Sequence, residues 1–185
     1  MKLIYLLVLI LLFSCDPAKK TVIDSSETQT TAVADRGYKI VVGDKFDFSE
    51  MKLMDGRTLK PKDFKGKVVM FQYTASWCGV CIKEMPHIEN EVWQKLKNND
   101  DFILIGVDRD EPLEKMEILV QRTKITYPLA YDPGALHFQQ VAEKTAGVTR
   151  NVVIDKNGKV AFLTRLYDPV EFDEMKEKIF ELVNQ

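Results

Sequence analysis

The chain has 185 residues, 45% of them hydrophobic, with 26 lysines and arginines against 28 aspartates and glutamates. That length and apolar content suit one domain of ordinary size with a real core. A formal charge of −2 supplies neither a basic field for nucleic acid nor an acidic tail, so electrostatics selects no partner.

Met1 to Ser14 carries one positive charge, Lys2, then eleven apolar or aromatic residues from Leu3 to Phe13. A bilayer span takes about 20 residues, so this run is too short to cross and has the form of a secretory h-region. It ends Leu12-Phe13-Ser14-Cys15, which resembles a bacterial lipobox and implies cleavage before Cys15 and lipidation of that residue. Residues 1–14 then read as a signal peptide, 15–37 as a lipidated N-terminus and tether, and 38–185 as the domain. The tether reading rests on a stretch rich in Ser, Thr and charge with no apolar periodicity.

Within the domain, Lys39–Gly43, Phe46–Met51 and Met54–Leu59 read as short strands, with Asp55-Gly56 as a hairpin signal. Pro61–Phe64 suits a single helical turn, and the apolar run Val68–Thr74 suits a strand buried on both faces. Immediately after it stands Trp77-Cys78-Gly79-Val80-Cys81. Ile82, Met85, Ile88, Val92, Trp93 and Leu96 then recur at spacings of three and four, the stripe of an amphipathic helix that Pro86 should kink. Phe102–Val107 is a second buried strand, and a helix follows from Asp110-Glu111-Pro112. Two such strands with a helical crossover make a right-handed βαβ unit. Tyr127 to Gly134 reads as a loop, and Ala135 to Glu143 as a short helix. Asn151–Asp155 and Lys159–Leu163 form a hairpin about Asn157-Gly158, and Asp168-Pro169-Val170-Glu171 caps a last helix.

The cysteine spacing carries the chemistry. Residues i and i+3 share a helical face, so Cys78 and Cys81 come within disulfide reach if a helix starts there. Cys78 would stand at the helix N-terminus, where free N–H groups and the dipole favour a thiolate. That lowers its pKa below the free value of about 8.5. Cys81, one turn inside, would be less accessible. The implied reaction is exchange, in which Cys78 attacks a disulfide and Cys81 resolves the mixed disulfide.

The element order resembles the thioredoxin fold, an α/β fold with a central mixed sheet flanked by helices, here with an N-terminal β-hairpin extension. Tyr73-Thr-Ala-Ser-Trp-Cys-Gly-Val-Cys81 followed by Glu84 and Pro86 resembles the W-C-x-x-C-x-x-E-x-P signature of the TlpA/ResA-like family, which comprises membrane-anchored, extracytoplasmic thiol-disulfide oxidoreductases. The resemblance implies a Cys78–Cys81 redox disulfide with Cys78 attacking, Trp77 walling the site, and Glu84 tuning thiol pKa values or relaying a proton. Glu84 as a plain solvated helix charge is the alternative. In this fold a cis-proline usually faces the cysteines and binds the substrate's extended chain. Val148-Thr149-Arg150 occupies that place, and a trans Val148–Thr149 bond is expected because cis costs about 3 kcal/mol before a non-proline. Arg150 is either a cation that stabilises the thiolate or a surface arginine.

The expected function is that of a disulfide reductase of the bacterial cell envelope, lipid-anchored with its domain in the periplasm or extracytoplasmic space. Its substrates would be exported proteins with disulfides, its electron source a membrane thiol-disulfide donor, and its only redox group the cysteine pair, with no metal or cofactor. Three other readings of the cysteine pair make different demands. A peroxidase of the peroxiredoxin type wants P-x-x-x-T-x-x-C, and Phe71 and Ala75 stand at its Pro and Thr positions. Copper delivery in this fold uses CxxxC with a distant His, for which only His137 would serve. A structural staple in a binding module would close a very small loop and stabilise little.

Overall fold

The structure is a computed structural model that describes residues 36–185. Cys15, the signal segment and nearly all of the tether lie outside the described residues. A small antiparallel sheet of β1 (Met51–Lys52) and β2 (Thr58–Leu59) precedes the main sheet. The main elements follow as β3 (Val68–Thr74), α1 (Gly79–Ile88), β4 (Phe102–Arg109), α2 (Leu113–Thr123), β5 (Leu129–Asp132), α3 (Phe138–Val141), β6 (Arg150–Ile154), β7 (Val160–Arg165) and α4 (Pro169–Val183). The five-stranded sheet runs β5-β4-β3-β6-β7. β4 is parallel to both β3 and β5, while β6 is antiparallel to β3 and β7.

All seven residues of β3 are buried, because this central strand is covered on both faces. Val69, Phe71 and Tyr73 join an aromatic layer with Phe46, Phe64 and Phe138. Val68 and Met70 pack on the other face with Met85, Ile88, Met116, Leu119, Phe172 and Ile179 from α1, α2 and α4. Gln72 and Thr74 share that second face by the strand's period of two. They are thus polar residues set under α1.

Local chemistry fixes the ends. Asp168 caps α4 by accepting the Val170 and Glu171 N–H groups at 3.0 Å, with Pro169 at the first helical position. In the β6–β7 turn, Asp155 accepts the N–H groups of Asn157 and Lys159, and Gly158 takes φ +75°. No helix among the described residues is long and apolar enough to cross a membrane.

Two expectations need correction. Tyr127 to Gly134 is not all loop: β5 lies within it, pairing Leu129–Asp132 with Gly106–Arg109. Four residues at a sheet edge are too few to show a period. Lys39–Gly43 and Phe46–Met51 are not full strands. The regular pairing there is confined to the flanking bridges Tyr38 to Ala142 and Lys45 to Lys159 and to β1, the rest being held by single backbone bonds, such as Gly43 N–H to the Val160 carbonyl at 2.8 Å and Phe46 N–H to the Gly158 carbonyl at 2.9 Å, and by the buried Phe46. Pro86 lies inside the helix as expected, and three residues later a π-helical turn, Glu89–Trp93, leads to a last segment Gln94–Leu96.

Candidate active site

The parallel β3 delivers the chain to a tight loop at its C-terminal end. There the Glu111 carboxylate accepts both the backbone N–H and the hydroxyl of Ser76, at 2.5 and 2.7 Å. The Arg122 guanidinium donates to the Ser76 carbonyl at 3.3 Å. This two-sided clamp, which the sequence did not announce, fixes the residue just before Trp77 and Cys78.

Cys78 is the N-cap of α1, with extended backbone angles and its sulfur accepting the Cys81 N–H at 3.2 Å. A sulfur there meets one of the helix's unpaired donors directly. Cys78 and Cys81 form a disulfide with Cα atoms 5.3 Å apart. Cys78 is 8% exposed and Cys81 is 0% exposed, the asymmetry that helix geometry predicts. Trp77 is 64% exposed, so it borders the pair at the surface.

Across the pair stands Thr149. Its hydroxyl lies 3.1 Å from Cys78 Sγ and 3.3 Å from Cys81 Sγ. A disulfide has no proton to give, so the hydroxyl is the donor. Val148 is buried beside it, and the Thr149 carbonyl accepts from the Leu166 N–H at 3.1 Å and the Arg165 guanidinium at 3.2 Å. Among the described residues every peptide bond is trans, including Val148–Thr149. In the reduced protein the same hydroxyl is placed to hold a Cys78 thiolate. Thr149→Val keeps the side-chain shape and removes a bond to a charged acceptor worth about 1.5 kcal/mol. The Cys78 pKa then rises by about one unit, read from the pH dependence of thiol alkylation. An unchanged profile would show that the hydroxyl does not serve the thiolate.

Glu84 is not a solvated charge: it is 2% exposed. Its Oε1 accepts from Asn151 Nδ2 at 2.7 Å and its Oε2 from Gln72 Nε2 at 3.4 Å. Burial pushes its carboxyl up from the ordinary 4.5 to about 7, against the two amide bonds, which lower it. Helix and strand match rung by rung here. Cys81 and Glu84, one turn apart on α1, face Thr149 and Asn151, two residues apart along the chain where β6 begins.

Arg150 is neither a thiolate partner nor a surface arginine. It is buried, its guanidinium lies 4.7 Å from the centre of the Tyr38 ring, and Nη2 donates to the Arg36 and Gly37 carbonyls at 2.9 and 3.1 Å. Strand alternation explains it: Thr149 and Asn151 meet the α1 side, so Arg150 takes the opposite face. Desolvation lowers its pKa to about 10. His137 belongs to the aromatic layer, with Nδ1 2.9 Å from the Tyr73 hydroxyl and its ring edge-on to Phe71. Burial lowers its pKa to about 4, so it is neutral at neutral pH.

Sequence reasoning missed Gln72, Asn151, Tyr127 and Thr164, which line up around Glu84, and the Ser76–Glu111 contact. The usable signal was Gln72 itself, an amide inside the apolar run Val68–Tyr73. Such a residue needs a buried partner.

The pattern of the Redoxin family matches residues 22–179. The thiol-disulfide oxidoreductase ResA of Bacillus thuringiensis subsp. konkukian is 31% identical over 135 residues, 71% of this chain and 70% of that protein. A candidate protein disulfide isomerase from Bacteroides thetaiotaomicron has a solution structure that superposes with a TM-score of 0.78. It is 49% identical, covering 80% of this chain and 94% of that one. The thioredoxin domain of a thiol-disulfide oxidoreductase from Bacteroides vulgatus, 19% identical, shares the fold with a TM-score of 0.65, covering 79% of this chain and all of that one. The chain therefore belongs to the Redoxin family and is a ResA-like thiol-disulfide oxidoreductase, with Cys78–Cys81 as its redox pair.

Proposed function

We propose that the protein is an extracytoplasmic disulfide reductase, held at a membrane by lipid on Cys15, in which Cys78 attacks and Cys81 resolves. The observation that carries the order of attack is the difference in access between the two sulfurs, together with the helix N-terminus and the Thr149 hydroxyl at Cys78. The Cys78 thiolate displaces one sulfur of a substrate disulfide, forming a mixed disulfide and releasing a thiolate. Cys81 then attacks Cys78 Sγ and frees the second substrate thiol. Two electrons have left the pair, and a dithiol donor must return them with two protons. The disulfide isomerase activity for which the Bacteroides thetaiotaomicron relative is named begins with the same first step.

The reductase direction is supported by charge. Glu84 is a buried carboxyl one turn from Cys81, and the buried cation Arg150 bonds elsewhere. An ionised carboxylate disfavours a neighbouring thiolate and so favours the disulfide, which makes the pair more reducing. The reduction potential of the Cys78–Cys81 pair tests this. A value near about −270 mV supports a reductase, and one near about −120 mV overturns that direction in favour of an oxidant.

Placement outside the cytoplasm is supported by the secretory-type segment before Cys15 and by the persistence of disulfide substrates in oxidising compartments. Cys15→Ser is expected to release the protein from membranes into the soluble fraction. Retention of that variant on the membrane would rule out the lipid anchor.

A further inference from the structure

Glu84 is flanked on both sides by the same unit, an amide backed by a hydroxyl. On one side the Tyr127 hydroxyl donates to Gln72 Oε1 at 2.5 Å, and Gln72 Nε2 donates to Glu84. On the other, Asn151 Nδ2 donates both to Glu84 and to the Thr164 hydroxyl at 2.8 Å. All five side chains are buried. The chain Tyr127–Gln72–Glu84–Asn151–Thr164 therefore runs across the middle of the sheet beneath α1.

Every member beside the carboxyl can reverse its polarity. An amide presents N–H on one edge and C=O on the other, in nearly the same shape, and a hydroxyl donates or accepts as required. With Glu84 ionised, the observed arrangement suits it, since both amides donate. When Glu84 is protonated its O–H needs an acceptor, and turning one amide over supplies one. For Asn151 the exchange gives up no bond at Oδ1, which has no partner among the described residues, and it moves the NH2 into that unpaired place. Turned over, Oδ1 would accept from Glu84, and the Thr164 hydroxyl would become a donor to it. Gln72 and the Tyr127 hydroxyl allow the same exchange. A lysine, a fixed backbone N–H or a second carboxylate in either place would satisfy only one state.

We infer that Gln72 and Asn151, with Tyr127 and Thr164 behind them, are positioning residues forming a reversible cradle that lets Glu84 keep a hydrogen-bond partner whether it holds a proton or has lost it. The inference deepens the proposed function, since it assigns Glu84 a proton it can exchange while the buried Cys81 thiol is deprotonated for resolution. The carboxyl's placement in the neutral range is consistent with that use. The titratable groups whose charge is felt at Glu84 or feels it are Glu171 at the start of α4, which repels its charge, and the phenols of Tyr38, Tyr127 and Tyr167. The phenols have raised pKa values, so they stay neutral while Glu84 titrates.

The test uses the oxidised protein, so it does not depend on turnover. The side-chain NH2 signals of Gln72 and Asn151 are followed by nitrogen-15 NMR from pH 5 to pH 9. Both are expected to shift with one shared midpoint in the neutral range, and to be flat in Glu84→Gln. Asn151→Asp and Gln72→Glu, which keep the volume but cannot present N–H, should each move the Glu84 midpoint up by about one unit or more, read from its carboxyl carbon-13 signal. Amide signals that ignore pH in the native protein would overturn the cradle even if neither variant folds. So would folded variants that leave the midpoint in place. A cradle that titrates as expected in a protein with an oxidant's potential would leave this inference standing and remove only the reductase direction.

Discussion

Serine at Cys78 abolishes turnover of a disulfide substrate, whereas serine at Cys81 leaves the first attack intact and accumulates a covalent mixed disulfide. The contrast follows from position. Cys78 alone reaches solvent, caps α1 and is bonded at its sulfur by the Cys81 N–H and the Thr149 hydroxyl. Each of these groups favours the thiolate, the species that reacts. Cys81 is sealed beneath it, so it can reach only a disulfide already joined to Cys78. In the reduced protein, alkylation at Cys78 should outpace that at Cys81 by roughly tenfold or more. Equal rates at the two cysteines would remove the assignment, as would a trapped adduct in the Cys78 variant instead of the Cys81 variant.

Replacing Glu84 by Gln stabilises the oxidised protein at pH 8 and does little at pH 4. Burial raises the native carboxyl from 4.5 to about 7. Between those values the native state holds a proton that the unfolded chain has lost, so stability falls as pH rises through this window. Above it the full cost of an ionised buried carboxylate remains. Below the unfolded value both states are protonated and no cost exists. Gln carries no charge and escapes the penalty, which linkage sets at no more than about 3.5 kcal/mol. The gain is smaller to the extent that the new amide faces two amide donors. Denaturant midpoints at the two pH values decide it. A difference between the proteins that does not change with pH would show that Glu84 is not the titrating group.

What the sequence revealed and what it hid divide along the range of the interactions. The β3 run, the α1 stripe, the Asp168 cap and the Asn157-Gly158 turn are written within a few residues of themselves, and each is found where local pattern put it. The CxxC pair is equally local, and its asymmetry follows from one turn of helix. β5 was hidden because Leu129–Asp132 depends on the Gly106–Arg109 edge for its conformation. Glu84 left two readings open because its partners, Gln72 and Asn151, come from two different strands. Arg150 was misplaced for a related reason. Its neighbour Thr149 does meet the sulfurs, and the strand's alternation turns the next residue to the other face.

The first described residues attach beside the redox pair, not at the far end of the sheet. Arg36 pairs with Glu171 and donates to the Arg165 carbonyl at 2.6 Å, and the Tyr38 hydroxyl donates to the Thr164 carbonyl. β7 ends at Arg165, which lies in register with Arg150, and Arg150 with Tyr73, at the edge of the sheet from which the chain runs to Cys78. With the proposed anchor at Cys15, the twenty residues between it and Arg36 span at most about 70 Å whatever their conformation. Arg36 is then a pivot. Rotation of the domain about it sweeps the Asn157-Gly158 turn through a wide arc while the cysteines stay nearer the axis.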